Sequence, residues 1–137
     1  MDEQIDRDLN KLDPVFRRKL EAVIKDLAEH GLKLFVTEGF RSLERQQWLY
    51  AQGRTRTGPL VTNCDGILHQ SAHQFGWAAD VAFRGAKLYP PGESPAWKLL
   101  ASSAKAHEIC WGGNWRFKDR PHLELADEGA DRIRSRR

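Results

Sequence analysis

The ten residues SAHQFGWAAD, from Ser71 to Asp80, set a histidine and an aspartate seven residues apart across a glycine, in apolar company. An imidazole and a carboxylate withdrawn from water need partners, because an unpaired buried polar group costs free energy and a buried charge costs more. The stretch is therefore either a hydrogen-bonded buried corner or two thirds of a metal site awaiting a third ligand. Either way, the fold has to bring another residue to that point.

The rest of the chain reads as alternating elements. Asp13 is a candidate N-cap and Pro14 fits the first helical position. Phe16, Leu20, Val23, Ile24 and Leu27 follow with helical spacing, and Gly31 supplies the stop. Leu32, Leu34 and Val36 alternate as in a strand. A second helix runs from the Ser42 cap to Gly53, with Leu43, Trp48 and Leu49 expected inside. RTRTGPLVTNCDG has turn formers and no period, and reads as a loop. WAADVAF reads as a strand. Ser94 and Pro95 open a third helix that reaches about Glu108, with Trp97, Leu100 and Ala104 as its apolar stripe. ICWGGNW and HLEL read as short strands around a glycine turn. The order predicts an α+β fold: a small, mainly antiparallel sheet packed with about three helices.

A length of 137 residues suits one domain with a true core. Residues 1–137 are expected to form it, with 126–137 as a basic tail, since DRIRSRR closes the chain with four arginines. No apolar run approaches the roughly 20 residues that span a bilayer, which argues against membrane insertion. The opening MDEQIDRDLN is polar and acidic, unlike a signal peptide, so the expectation is a protein made in a cytoplasm that leaves it by another route. Cys64 and Cys110 form no CxxC and read as free thiols. A net charge of +3 and a pI near 9.0 suit a polyanion, either nucleic acid or an anionic cell wall. Nucleic acid is the weaker of the two, because no binding motif or interleaved basic and aromatic stripe is present.

The third ligand is sought among five histidines. His30 and His107 lie near helix ends and read as surface residues. His69 makes a His-x3-His pair with His73 but reads as a loop residue. His122, in KDRPHLEL, stands at a strand start three residues after Asp119. Two imidazoles and a carboxylate, with a second carboxylate spare, fit a catalytic zinc that keeps an open position for water, the spare acid serving as general base. The same set suits non-haem iron, although those sites commonly place the carboxylate two residues after the first histidine.

SAHQFGWAAD also resembles the S-x-H-x-x-G-x-A-x-D signature of a zinc peptidase family. That family holds D-Ala-D-Ala dipeptidases and carboxypeptidases, and phage endolysins that cut L-alanyl-D-glutamate bonds. Ser71, His73, Gly76, Ala78 and Asp80 occupy every fixed position. Asp119-Arg-Pro-His122 resembles the family's acid-x-x-His, TEGFRSLERQQWLYAQGRT the segment around its substrate-site arginine, here Arg41, and CWGGNW its W-G-G-x-W stretch. The match covers roughly residues 32–125. It implies that His73, Asp80 and His122 hold Zn2+ and that Asp119 is the general base and later the proton donor. Arg41 would meet the oxyanion or a substrate carboxylate. Gln47 would help bind substrate, and Ser71 would support the site. Trp115 is a candidate groove residue, and Trp111 either a groove residue or core. Glu124 reads as a strand residue facing solvent or Arg120.

Within the family, aspartate at the base resembles the endopeptidase branch. The expectation is a monomeric zinc endopeptidase acting on peptidoglycan as a phage or prophage endolysin, released from the host cytoplasm by a holin. A D-Ala-D-Ala carboxypeptidase and a non-catalytic zinc-containing wall-binding protein are the alternatives; Asp119 and Arg41 together argue against the second.

Overall fold

The computed structural model describes residues 4–85 and 87–126, so the expected basic tail lies outside the described residues except for Ala126. Helix α1 (Pro14–Glu29) starts as the sequence predicts. The Asp13 carboxylate accepts from the Val15 and Phe16 amides, and Pro14 needs no partner for an N–H it lacks. Phe16, Leu20, Val23 and Leu27 are buried, and Gly31 turns the chain at φ 78°. Helix α3 (Pro95–Ala106) repeats this grammar with Ser94 and Pro95, and buries Trp97, Leu100 and Ala104. Asp26 ties the two helices together: its Oδ2 accepts from Ser103 Oγ at 2.8 Å and meets His107 Nε2 at 2.8 Å.

Strands β1 (Leu34–Glu38), β2 (Ala78–Phe83), β3 (Ile109–Trp111) and β4 (His122–Leu125) form one antiparallel sheet in the order β1-β2-β4-β3. The predicted α+β class holds, though Leu32 precedes the strand it was expected to start. Side chains alternate between faces along each strand. Leu34, Val81, Phe83, Ile109, Leu123 and Leu125 point to one face and pack with α1 and α3 into the core. Burying each such side chain contributes about 1.5–3 kcal/mol.

The opposite face is polar, and the register explains why. Asp80 pairs with His122 across β2 and β4, so Ala78, Asp80, His122 and Glu124 share that face. Glu38 would fall on the core side if the alternation of Leu34 and Val36 continued. The register of β1 instead shifts between Val36 and Glu38, which brings Glu38 opposite Asp80. A bulge re-aims the side chains beyond it in this way.

Helix α2 (Leu43–Ala51) lies over this polar surface, and it departs from expectation. Leu43 is 40% exposed, Trp48 and Leu49 are half-buried, and the buried positions are Arg45, Gln46 and Ala51. A helix resting on carboxylates buries groups that pair with them, so the inward face is cationic and amide-bearing. Trp48 serves as a plate outside, with the Arg56 guanidinium 3.4 Å from its ring centroid. The two cysteines are free thiols, Cys64 buried and Cys110 half-buried.

Candidate metal centre

His73 sits in a one-turn 3-10 helix, Ala72–Phe75, that the chain builds locally. Ser71 Oγ accepts from the His73 amide at 3.3 Å, and Gln74 Oε1 accepts from the Ser71 amide at 2.8 Å, a reciprocal cap. Gly76 ends the turn at φ 71°, and a Cβ there would lie 2.7 Å from the Asp13 amide nitrogen. Only glycine allows both that backbone and that approach to α1. The chain then enters β2, which carries Asp80.

The rings of His73 and His122 are held in opposite senses. His73 Nδ1 donates to the Gly39 carbonyl at 2.8 Å, leaving Nε2 at 3.6 Å from Asp80 Oδ2. His122 turns Nδ1 to Asp80 Oδ1 at 3.3 Å, and its Nε2 meets Glu124 Oε1 at 2.8 Å. One ligand atom from each of His73, Asp80 and His122 falls within 4.8 Å of the others. Each ring thus offers one nitrogen to the cluster and anchors the other outside it, the usual arrangement of histidines in a metal site. The donor set suits zinc.

Charge runs across the whole polar face. Arg45 Nε donates to Glu38 Oε2 at 2.8 Å, and Glu38 Oε1 lies 3.2 Å from Arg41 Nη2. The same Nη2 donates to Asp80 Oδ2 at 3.2 Å, and Arg41 Nη1 donates to Gln46 Oε1 at 3.2 Å. Burial, with Arg41 and His122 nearby, pushes His73 down to about 3, so it is neutral and able to ligate. Burial also disfavours the charged form of His122, but its bonds to Asp80 and Glu124 outweigh this and push it up to about 9. Asp80 is buried too, yet the surrounding imidazoles and Arg41 hold it well below the usual carboxylate range.

Asp119 is exposed as a residue, but its carboxyl is crowded by the site. That desolvation, with the charge of Asp80, raises its pKa against the opposing pull of His122 and Arg41. Its backbone is fixed by the Asp119 amide donating to Gly112 O at 2.9 Å and the His122 amide donating to Asp119 O at 3.1 Å. A side chain on Gly112 would run into the Asp119 carbonyl, which gives the first glycine of WGG a reason.

A cleft of about 420 Å³ opens over the cluster. Arg41, Ser71, Trp115 and Asp119 line it together with the three candidate ligands. The Trp115 ring leans on His122 at 4.9 Å between centroids. Trp111 stacks near Trp97 at 6.3 Å and donates from Nε1 to Arg120 O at 2.7 Å, packing against the core while also lining a second cleft with Trp115. Gln47 does not line the cleft; the inward amide is its neighbour Gln46, which holds Arg41 and donates to Cys64 O at 2.8 Å. His69 is not part of the cluster. Glu124 is fully buried rather than facing solvent, because strand alternation puts it on the same face as His122. That signal was present in HLEL. The loop wall of the cleft, residues 61–64, had none.

The profile of the D-alanyl-D-alanine carboxypeptidase family matches residues 66–125. Peptidoglycan L-alanyl-D-glutamate endopeptidase CwlK of Bacillus subtilis (strain 168) is 37% identical over 125 residues, covering 83% of this chain and 73% of CwlK. The chain belongs to this peptidase family. It is accordingly a metallopeptidase, a hydrolase. Among solved structures of the family, the L-Ala D-Glu endopeptidase ChiX of Serratia marcescens superposes with a TM-score of 0.60 at 25% identity, covering 85% of this chain and 82% of ChiX. The vancomycin resistance D,D-pentapeptidase VanY, in complex with Zn(II), shares the fold with a TM-score of 0.64 at 16% identity, over 96% of this chain and 84% of VanY.

Proposed function

We propose that this protein is a zinc-dependent endopeptidase that hydrolyses the L-alanyl-D-glutamate bond of peptidoglycan stem peptides. The observation that carries the choice of bond is the 37% identity to CwlK over 125 residues. Aspartate at position 119 agrees with it.

In this reading His73, Asp80 and His122 hold the ion. Bound there, zinc supplies the Lewis acidity that makes water nucleophilic near neutral pH. Asp119, on the rim of the same cleft, is the carboxylate that would accept a proton from the attacking water and return it to the leaving amine. Its raised pKa makes it a better base than an ordinary aspartate. Arg41 is held by Glu38, Gln46 and Asp80, and presents its guanidinium to the oxyanion that forms on the scissile carbonyl. Ser71 keeps the His73 turn closed, and Trp115 forms a wall beside His122.

Metal binding carries a pH signature. The metal-free His122 keeps its proton up to about pH 9 and must lose it to ligate. Zinc affinity should therefore rise about tenfold per pH unit below about pH 9, and level off above it. Competition with a chromophoric chelator at pH 6 and pH 8, corrected for the chelator's own protons, should give about a 100-fold difference. Equal affinities would mean that His122 carries no such proton in the metal-free site.

Mass spectrometry of purified peptidoglycan, digested with and without a zinc chelator, tests the bond. New fragments beginning at D-glutamate, absent with chelator, are expected. Release of D-alanine would move the protein to carboxypeptidase chemistry, which the matching family's description and the VanYB complex with D-alanine-D-alanine favour as the second reading. We further propose that the enzyme acts as a monomeric phage or prophage endolysin, crossing from the host cytoplasm to the wall through a holin lesion. Its basic charge suits an anionic wall. Lysis of an expressing culture only when a holin is co-produced is the expected result.

A further inference from the structure

We infer that Glu124 is a positioning residue for the metal centre: its buried carboxylate grips His122 Nε2 and thereby commits Nδ1 of that ring to the ion. The inference rests on the zinc reading above.

Three observations converge on it. Glu124 is wholly inaccessible to solvent, and a carboxylate so placed needs compensation. Its Oε1 lies 2.8 Å from His122 Nε2, the nitrogen directed away from the cluster. The position is also structurally determined: Glu124 stands two residues along β4 on the same face as His122, with Ala78 and Cys110 as its cross-strand partners. Ala78, its partner on β2, presents only a methyl group on that face.

The two histidines differ in what anchors them. His73 is anchored by a backbone carbonyl, that of Gly39, whereas His122 is anchored by a side-chain carboxyl group, that of Glu124. A carboxylate acceptor holds the N–H on Nε2, keeps the Nδ1 lone pair free, and makes that nitrogen the stronger donor. A carbonyl fixes orientation with less effect on basicity. His122 is thus the electronically tuned ligand of the pair, and the tuning comes from a residue that does not line the cleft.

The test uses the full chain and zinc itself. Glu124→Gln keeps the size of the side chain and an oxygen able to accept from Nε2, but removes the charge. Above about pH 9, where no proton competes with the ion for His122, it should weaken zinc binding about 10–100-fold in chelator competition while the metal-free protein keeps its circular dichroism spectrum. Unchanged affinity in that variant would overturn the inference. A second readout needs no variant. In the zinc-loaded wild type, long-range 1H–15N spectra of the imidazoles should give His122 a protonated Nε2 and a metal-shifted Nδ1, with the Nε2 proton far downfield as in a bond to a carboxylate. A metal-shifted Nε2, or an Nε2 proton at an ordinary solvent-exposed position, would overturn it even if Glu124→Gln failed to fold. Wild-type protein that binds no zinc would instead refute the underlying metal reading, a result distinct from either.

Discussion

Asp119→Ala should leave zinc binding intact and lower kcat on peptidoglycan fragments by about 10²–10⁴, the range a positioned general base contributes. The separation follows from the geometry. Asp119 lines the cleft but lies outside the His73, Asp80 and His122 cluster, so the ion loses no donor when the carboxylate goes. The turn that carries it is secured by main-chain bonds at Gly112 and His122, which alanine keeps. Zinc content by atomic absorption and turnover by chromatography of released fragments decide it. Full turnover in the variant would end the role assigned to Asp119, and loss of zinc would make it a ligand instead.

Asp80→Ala should abolish activity together with metal. Asp80 is the hub of the face: its two oxygens reach His122 Nδ1 at 3.3 Å, Arg41 Nη2 at 3.2 Å and His73 Nε2 at 3.6 Å. Removing it deletes one of three protein donors and leaves the Arg41 guanidinium, beside two imidazoles, with Glu38 as its carboxylate partner. Zinc affinity should fall by about 10³ or more, a share in keeping with the total binding energy of structural zinc sites. Turnover should be undetectable at zinc concentrations that saturate the wild type. A variant that kept tight zinc and measurable turnover would refute the ligand assignment. Together the two variants separate holding the metal from moving the proton.

The helical half of the fold was legible because its signals are local. Asp13-Pro14 and Ser94-Pro95 are complete start signals, and the buried residues of α1 and α3 repeat at the spacing of one helix face. Helix α2 misled for an equally physical reason. Apolar residues were assumed to face inward, but this helix covers carboxylates, so Arg45 and Gln46 went in and Leu43 stayed out. Of the two adjacent amides, Gln46 is the one that holds Arg41, a choice that helix spacing alone does not make. Glu124 was misassigned because an acidic residue in a short strand is normally solvated. Alternation with His122 was the clue that it is not.

The amino-acid order alone determined the local turn that presents His73. Ser71, Gln74 and Gly76 build it from contacts within a few residues, and the signature they form could be read directly. The tertiary structure decided what faces that turn. The β2–β4 register sets Asp80 against His122 across 42 positions of chain, and the bulge in β1 moves Glu38 from the core side to the polar side. Both depend on strand pairing between distant segments. A shift of one residue in register reverses every side chain, and no local propensity encodes that choice.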